Sequence, residues 1–138
     1  MPRDVINLFY NKAINNKSNI AVVQKDSQIT YGKLLSLVQK YAFTFKCIKK
    51  NPKILIYLPK SFEAYAAMLA SLQVGGFYCP INETMPIIRL KLIIEKFKYN
   101  IIISNKKLLI NIPSKIAKIS IEDVYNEKLS EILPAHNL

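Results

Sequence analysis

Apolar positions along the chain recur at helical intervals in some stretches and run continuously in others. In residues 3–16 (RDVINLFYNKAINN), Val5, Leu8, Phe9 and Ala13 fall near helical spacing and predict a short amphipathic helix. Two β-like runs follow, Ile20–Gln24 and Gln28–Tyr31, parted by Lys25-Asp26-Ser27, a composition that favours a tight hairpin turn. Thr30 is a suitable N-cap for a helix in which Leu34, Val38, Tyr41, Ala42 and Phe45 repeat as one buried face. Asn51-Pro52 breaks that helix before the apolar run Lys53–Leu58 (KILIYL). Pro59 ends this strand, Ser61 caps a helix over 62–74, and Gly75-Gly76 stops it ahead of a strand at Phe77–Ile81. From Pro86 to Lys98 the stripe Ile87, Leu90, Ile93, Ile94 and Phe97 predicts a helix, and Ile101–Ile103 a strand. A looser connection leads to a strand at Ile116–Ile121 and a helix at Glu122–Leu133.

Continuous apolar strands alternating with helices predict an α/β fold, a mostly parallel sheet with helices on both faces, joined to an N-terminal β-hairpin. No repeat, low-complexity tract or linker divides the chain, so residues 1–138 read as a single domain. Its length allows a real core, and 51% apolar with 21% charged residues is ordinary globular composition. The stretch Phe62–Ile81 is interrupted by Glu63, Gln73, the glycine pair and Pro80, which argues against a membrane span. Met-Pro-Arg-Asp lacks the layout of a signal peptide, so a soluble cytoplasmic protein with no membrane partner is expected.

The net charge of +11 raises the question of nucleic acid. Of the twenty basic residues only Arg3 and Arg89 are arginine, the residue suited to base readout and bidentate phosphate contact. The lysines are scattered, densest at Lys49, Lys50 and Lys53, and no aromatics are interleaved for base stacking. A solvated surface, with no specific nucleic-acid partner, is the reading. Cys47 and Cys79 have no Cys or His at ligand spacing and read as reduced structural thiols. His136, close to residue 138, has no carboxylate at a helical interval and reads as a surface residue. With three glycines in all, Gly32, Gly75 and Gly76, no phosphate-cradling loop can be drawn.

Two segments remain, Ile29-Thr30-Tyr31-Gly32-Lys33-Leu34 and Leu72-Gln73-Val74-Gly75-Gly76-Phe77-Tyr78-Cys79-Pro80-Ile81-Asn82. In the second, one glycine would supply the positive φ that ends the helix. The other would let the chain turn back into a strand without a clashing Cβ. In this order the segments resemble the first two signature motifs of the adenylate-forming superfamily, with nonribosomal peptide synthetase adenylation domains and D-alanine–carrier protein ligases the nearest. The strand KILIYLPKS, the helix EAYAAMLASL, Pro86, Arg89 and the run ending in NIIIS are similar to that family too, so the resemblance extends over about residues 4 to 125. Lys33 stands where the family usually has an acidic residue, Gln73 where it often has Lys, and Asn82 where it often has Asp.

The resemblance implies the N-terminal portion of an adenylation domain. In the family the Ser/Thr/Gly-rich phosphate loop comes soon after the point this sequence reaches at Leu138, and the mobile C-terminal domain lies further on. No catalytic, cofactor-binding or metal-ligating residue is therefore assigned here, and ATP and Mg2+ are implied only for a complete family member. Three functions stay open: a truncated or split domain serving as scaffold, a freestanding docking module, and a non-functional remnant. The partners they imply are a complementary adenylation-domain fragment, a carrier protein or synthetase, or a second copy of the chain. Self-association is expected because the strands at 54–58 and 101–103 are apolar on both faces and a severed piece would expose an edge and an apolar face.

Overall fold

The computed structural model describes residues 2–125. Helix α1 (Pro2–Asn15) is followed by the hairpin β1 (Ile20–Gln24) and β2 (Ser27–Thr30), then α2 (Tyr31–Ile48). The α/β unit continues as β3 (Lys53–Tyr57), α3 (Phe62–Gln73), β4 (Phe77–Ile81), α4 (Ile87–Phe97), β5 (Ile101–Ser104), α5 (Lys106–Leu109), β6 (Ala117–Ser120) and α6 (Ile121–Tyr125). Strands β4-β3-β5-β6 form one parallel sheet in that spatial order, and β1 and β2 pair antiparallel beside it. This is the α/β fold with an N-terminal hairpin that the strand and helix pattern predicts.

Handedness explains how the two faces are filled. A parallel crossover is right-handed, so reversing its direction across the sheet moves the connecting helix to the opposite face. The step from β3 to β4 carries α3 onto one face. The next step, back past β3 to β5, carries α4 onto the other. Side-chain packing follows this division. Ile54, Ile56, Ile101, Ile103 and Ile119 pack against α2 and α3, while Leu55, Tyr57 and Ile102 pack with Leu90 and Ile94 of α4 and Leu109 of α5. Each fully buried aliphatic side chain contributes roughly 1.5–3 kcal/mol, so the unbroken apolar runs in β3 and β5 are what a strand covered on both sides requires. These two strands are therefore central and wholly covered within the chain, and they do not present the open apolar face expected of a severed piece. The sheet edges are β4 and β6 instead. Pro80 stands in the edge strand β4, where a residue without a backbone N–H is tolerated.

All five apolar positions of the predicted α2 face are buried. For α1 the buried residues are Ile6 and Ala13, with Phe9 partly buried, whereas Leu8 is 70% exposed. Phe9 and Ala13 of the predicted face are on the packed side, while Ile6 takes the place of the exposed Val5 and Leu8, because apolar residues stand on both sides of this helix. In α4, Leu90 and Ile94 are buried, but Phe97, the last residue of the helix, is half exposed. The single turn α5 falls in the connection read as loose. The hairpin turns over Lys25-Asp26, so Ser27 belongs to β2 and Tyr31 opens α2. The predicted helix 122–133 begins as α6, and its remainder, like His136, lies outside the described residues. Among the described residues no helix is long and apolar enough to cross a membrane.

Candidate functional site

Strand order gives the first place to look. In an open parallel sheet, ligands bind outside the carboxyl ends of the strands where successive connections leave toward opposite faces. Here that switch point lies between β3 and β5. Its rim is formed by Pro59-Lys60-Ser61 after β3 and by Ser104-Asn105-Lys106 at the end of β5.

Apart from the exposed Lys60 ammonium, the polar side chains named around this rim build the chain's own turns and strand contacts. Ser61 Oγ accepts from the Ala64 N–H at 3.2 Å and caps α3, as expected. Asn105 Oδ1 accepts from Leu108 N–H at 2.9 Å, which fixes α5. Ser104 Oγ donates to the Tyr57 carbonyl at 2.5 Å, tying the ends of β5 and β3 together. Ser120 Oγ accepts from the Asp123 N–H at 3.0 Å, and Asp123 pairs with Lys106 Nζ at 2.8 Å. Beyond β4, Asn82 Oδ1 accepts from both the N–H and the hydroxyl of Thr84, at 2.9 and 2.8 Å. Tyr57 donates its hydroxyl to the Met85 carbonyl at 3.0 Å; burial first, and the nearby Glu83 carboxylate second, push its pKa above the ordinary tyrosine value. The hairpin reaches the same rim, with Gln24 Nε2 donating to the Lys60 carbonyl. Among the described residues, no three His, Cys, Asp or Glu side chains converge as metal ligands.

The first signature segment lies on the helical flank; the second starts at the opposite, amino end of the strands with Gly75-Gly76 and runs along β4 to Asn82 at the rim. In the first, Thr30 Oγ1 accepts from the Lys33 N–H at 3.2 Å and caps α2, while Tyr31 and Gly32 donate their N–H groups to Asn19 and Lys17 carbonyls at 2.9 Å. The second segment closes α3 with a paired C-terminal motif: Gly76 N–H donates to Ser71 O at 3.0 Å and Gly75 N–H to Leu72 O at 3.2 Å. Gly75 has φ +74°, and a Cβ on Gly76 would press into Pro52, meeting its carbonyl oxygen and Cδ. Both glycines therefore do the backbone work expected of them. Phe77 N–H then donates to Pro52 O at 3.1 Å and starts the pairing of β4 with β3.

A groove of about 1270 Å³ opens beside these glycines, between α1 and the carboxyl ends of α2 and α3. Lys46, Lys49 and Lys50 line it with the half-exposed Phe43, and Tyr10 donates its hydroxyl to Gln73 Oε1 at 2.5 Å across it. Burial raises the Tyr10 pKa, against the smaller opposing effect of hydrogen bonds with Gln73 and Gln39. The third member of the dense lysine group, Lys53, goes elsewhere. Its Nζ donates to the Phe97 carbonyl and sits 5.4 and 5.3 Å from the Phe77 and Tyr99 ring centres. Tyr99 is likewise raised, by burial and then by Cys79 beside it. Both cysteines are partly buried thiols outside any disulfide, Cys47 in the last turn of α2 and Cys79 in β4. The lysine spacing 46, 49, 50 was the available sequence signal for one face, but Tyr10 and Gln73 reach the groove only through the fold.

A family model described as AMP-binding enzyme matches residues 9–136. Gramicidin S synthase 1 of Brevibacillus brevis is 30% identical over 111 residues, which is 78% of this chain and 10% of that protein. The D-alanine--D-alanyl carrier protein ligase of Staphylococcus haemolyticus is 26% identical over 121 residues, 88% of this chain and 24% of the ligase. The chain thus spans a quarter or less of the length of these curated relatives. Among solved structures, VinN superposes with a TM-score of 0.76 at 18% identity, over 92% of this chain and 34% of VinN. The Klebsiella oxytoca NpsA N-terminal subdomain does so at 0.73 and 20% identity, over 88% of this chain and 32% of that one. At these identities the structural likeness concerns the fold.

Proposed function

The chain belongs to the AMP-binding enzyme family, and from that premise we propose that it serves as the scaffold portion of an adenylation domain and forms no acyl-adenylate by itself. The observation that carries this reading is the use made of the signature segments. Gly75 and Gly76 terminate α3 and admit the start of β4, and Gly32 lies against Lys17, where a Cβ would come within 3.1 Å of its carbonyl oxygen. The N–H groups of all three are taken by backbone carbonyls, so none is part of an open phosphate cradle. The serine and asparagine side chains at the switch point support the same reading, since each named there already caps a helix, holds a turn or ties two strands. Transfer of an adenylyl group depends on donors positioned around developing charge, and these residues do not fit that task for ATP and Mg2+. Neither is assigned to a residue of this chain.

Carboxylate-dependent exchange of labelled pyrophosphate into ATP tests the proposal. The purified chain, assayed with amino acids, D-alanine and fatty acids beside an intact adenylation domain as positive control, should show no exchange above a protein-free blank. Exchange that tracks the folded chain through purification overturns the reading.

A further inference from the structure

We propose that the groove between α1, α2 and α3 is a docking surface for an acidic amphipathic helix of a partner protein. Its charge is one-sided: Lys46, Lys49 and Lys50 line it, and among the described residues no carboxylate does. Its size, about 1270 Å³ and open to solvent, exceeds the roughly 300–1,000 Å³ usual for a small-molecule pocket. A single phosphate would also find poor company here. Helices α2 and α3 present their carboxyl ends, the negative end of the helix dipole, and the Gly75 and Gly76 N–H groups are already donated to Leu72 and Ser71 carbonyls. Point charges without an anion-binding backbone suit carboxylates spread along a partner.

The shape favours a helix over an extended peptide. An added strand needs a free sheet edge, whereas this groove is walled by helices, the setting in which an amphipathic helix lays an apolar face. Phe43, 46% exposed, and the partly buried Leu72 and Val74 supply the apolar surface between the lysines. Tyr10 and Gln73, hydrogen-bonded to each other, tie α1 to α3 and fix the position of one wall. Among the described residues the lining has no arginine, and Phe43 and Tyr10 are its only aromatic residues. Nucleic acid, which favours bidentate arginine and successive stacking platforms, fits less well.

A fluorescein-labelled helical peptide with leucines on one face and glutamates elsewhere is the probe, followed by anisotropy against the full chain. Replacing Lys46, Lys49 and Lys50 together by Glu should weaken binding at least tenfold. The same replacement at the exposed Lys91, Lys107 and Lys115, with an equal change in net charge, should alter it less than threefold. Equal losses in both triple variants would mean diffuse attraction to a basic protein and overturn the proposal. Tighter binding of a single-stranded oligonucleotide of matched charge, lost in the groove variant, would replace the protein partner by nucleic acid. Amide shifts of the unaltered chain on peptide titration keep the test independent of variant folding. They should move at residues 46–51 and 72–76 and stay fixed in the hairpin; shifts centred on α4 overturn the assignment.

Discussion

Replacing Gly76 with alanine sets a methyl group 2.9 Å from Pro52 Cδ, and closer still to the Pro52 carbonyl oxygen. Carbon contacts are comfortable near 3.5–4.0 Å, so the backbone at Pro52 or Gly76 must move. That carbonyl also accepts the Phe77 N–H at 3.1 Å, the bond that starts β4 on β3. Overpacking costs about 1–3 kcal/mol, and loosening the hydrogen bond about 1 kcal/mol more. The lowered entropy of the unfolded chain returns about 0.4–1 kcal/mol. A net loss of about 1–3.5 kcal/mol follows from these terms, a large share of a typical 5–15 kcal/mol. Gly75→Ala is the internal comparison. Its left-handed φ costs an alanine about 1–2 kcal/mol, but the new Cβ meets the Asn51 Oδ1 at 2.8 Å, a side-chain end that can swing away. Equilibrium unfolding in urea, followed by circular dichroism and tyrosine emission because the chain has no tryptophan, gives both values. Gly76→Ala should lose more than Gly75→Ala. A reversed order, or a Gly76 loss below about 1 kcal/mol, would show that close approach to Pro52 is not why glycine stands there.

Lys33 sits in the first turn of α2, which has no acidic residue; Lys33→Glu should stabilise the chain by about 1 kcal/mol, and a gain unchanged in 1 M salt would refute a dipole origin. Tyr57, Tyr10 and Tyr99 have raised pKa values, so the folded state holds these protons more tightly than the unfolded one. Stability should be intact below about pH 10, the ordinary tyrosine value, and fall as pH rises above it. Substituting all three with Phe should flatten that alkaline fall, and an unchanged slope would count against the assignment. Ile88 and Leu92 lie one turn apart on α4 and are 79% and 61% exposed, so sedimentation should show concentration-dependent self-association that Leu92→Lys weakens. A clean monomer at high micromolar concentration, without apolar-dye binding, would refute it.

The parts legible in the sequence are those whose physics is local. The α2 face followed from a clean 3.6-residue period, the strands β3 and β4 from short apolar runs beside proline and glycine, and β5 from an apolar run between Asn100 and Asn105. Thr30 and Ser61 announced their helices because an N-cap needs only a hydroxyl three residues before an N–H. Helix α1 was legible at Phe9 and Ala13 but misled at Val5 and Leu8, which offer a second apolar side, and only the fold selects Ile6 for burial. A single turn such as α5 has no period to detect; Asn105 fixes it and Leu109 anchors it. The groove was hidden for a different reason. Tyr10 and Gln73 are 63 positions apart, and nothing in either segment alone says that three helix surfaces meet there.

Strand order also bears on how the sheet is assembled during synthesis. Strand β3 emerges from the ribosome before the other three and occupies an inner position, with β4 added on one flank. Strands β5 and β6 then join the other flank in the order in which they are made, so no pairing already formed has to open for the next. Growth becomes one-directional after β4, whose outer edge carries a proline unable to donate to a neighbour. The advancing front is β6. A further strand, whether translated later in the same polypeptide or supplied by a separate one, would find its backbone partners along that front, and the hairpin and α1 would already be folded behind it.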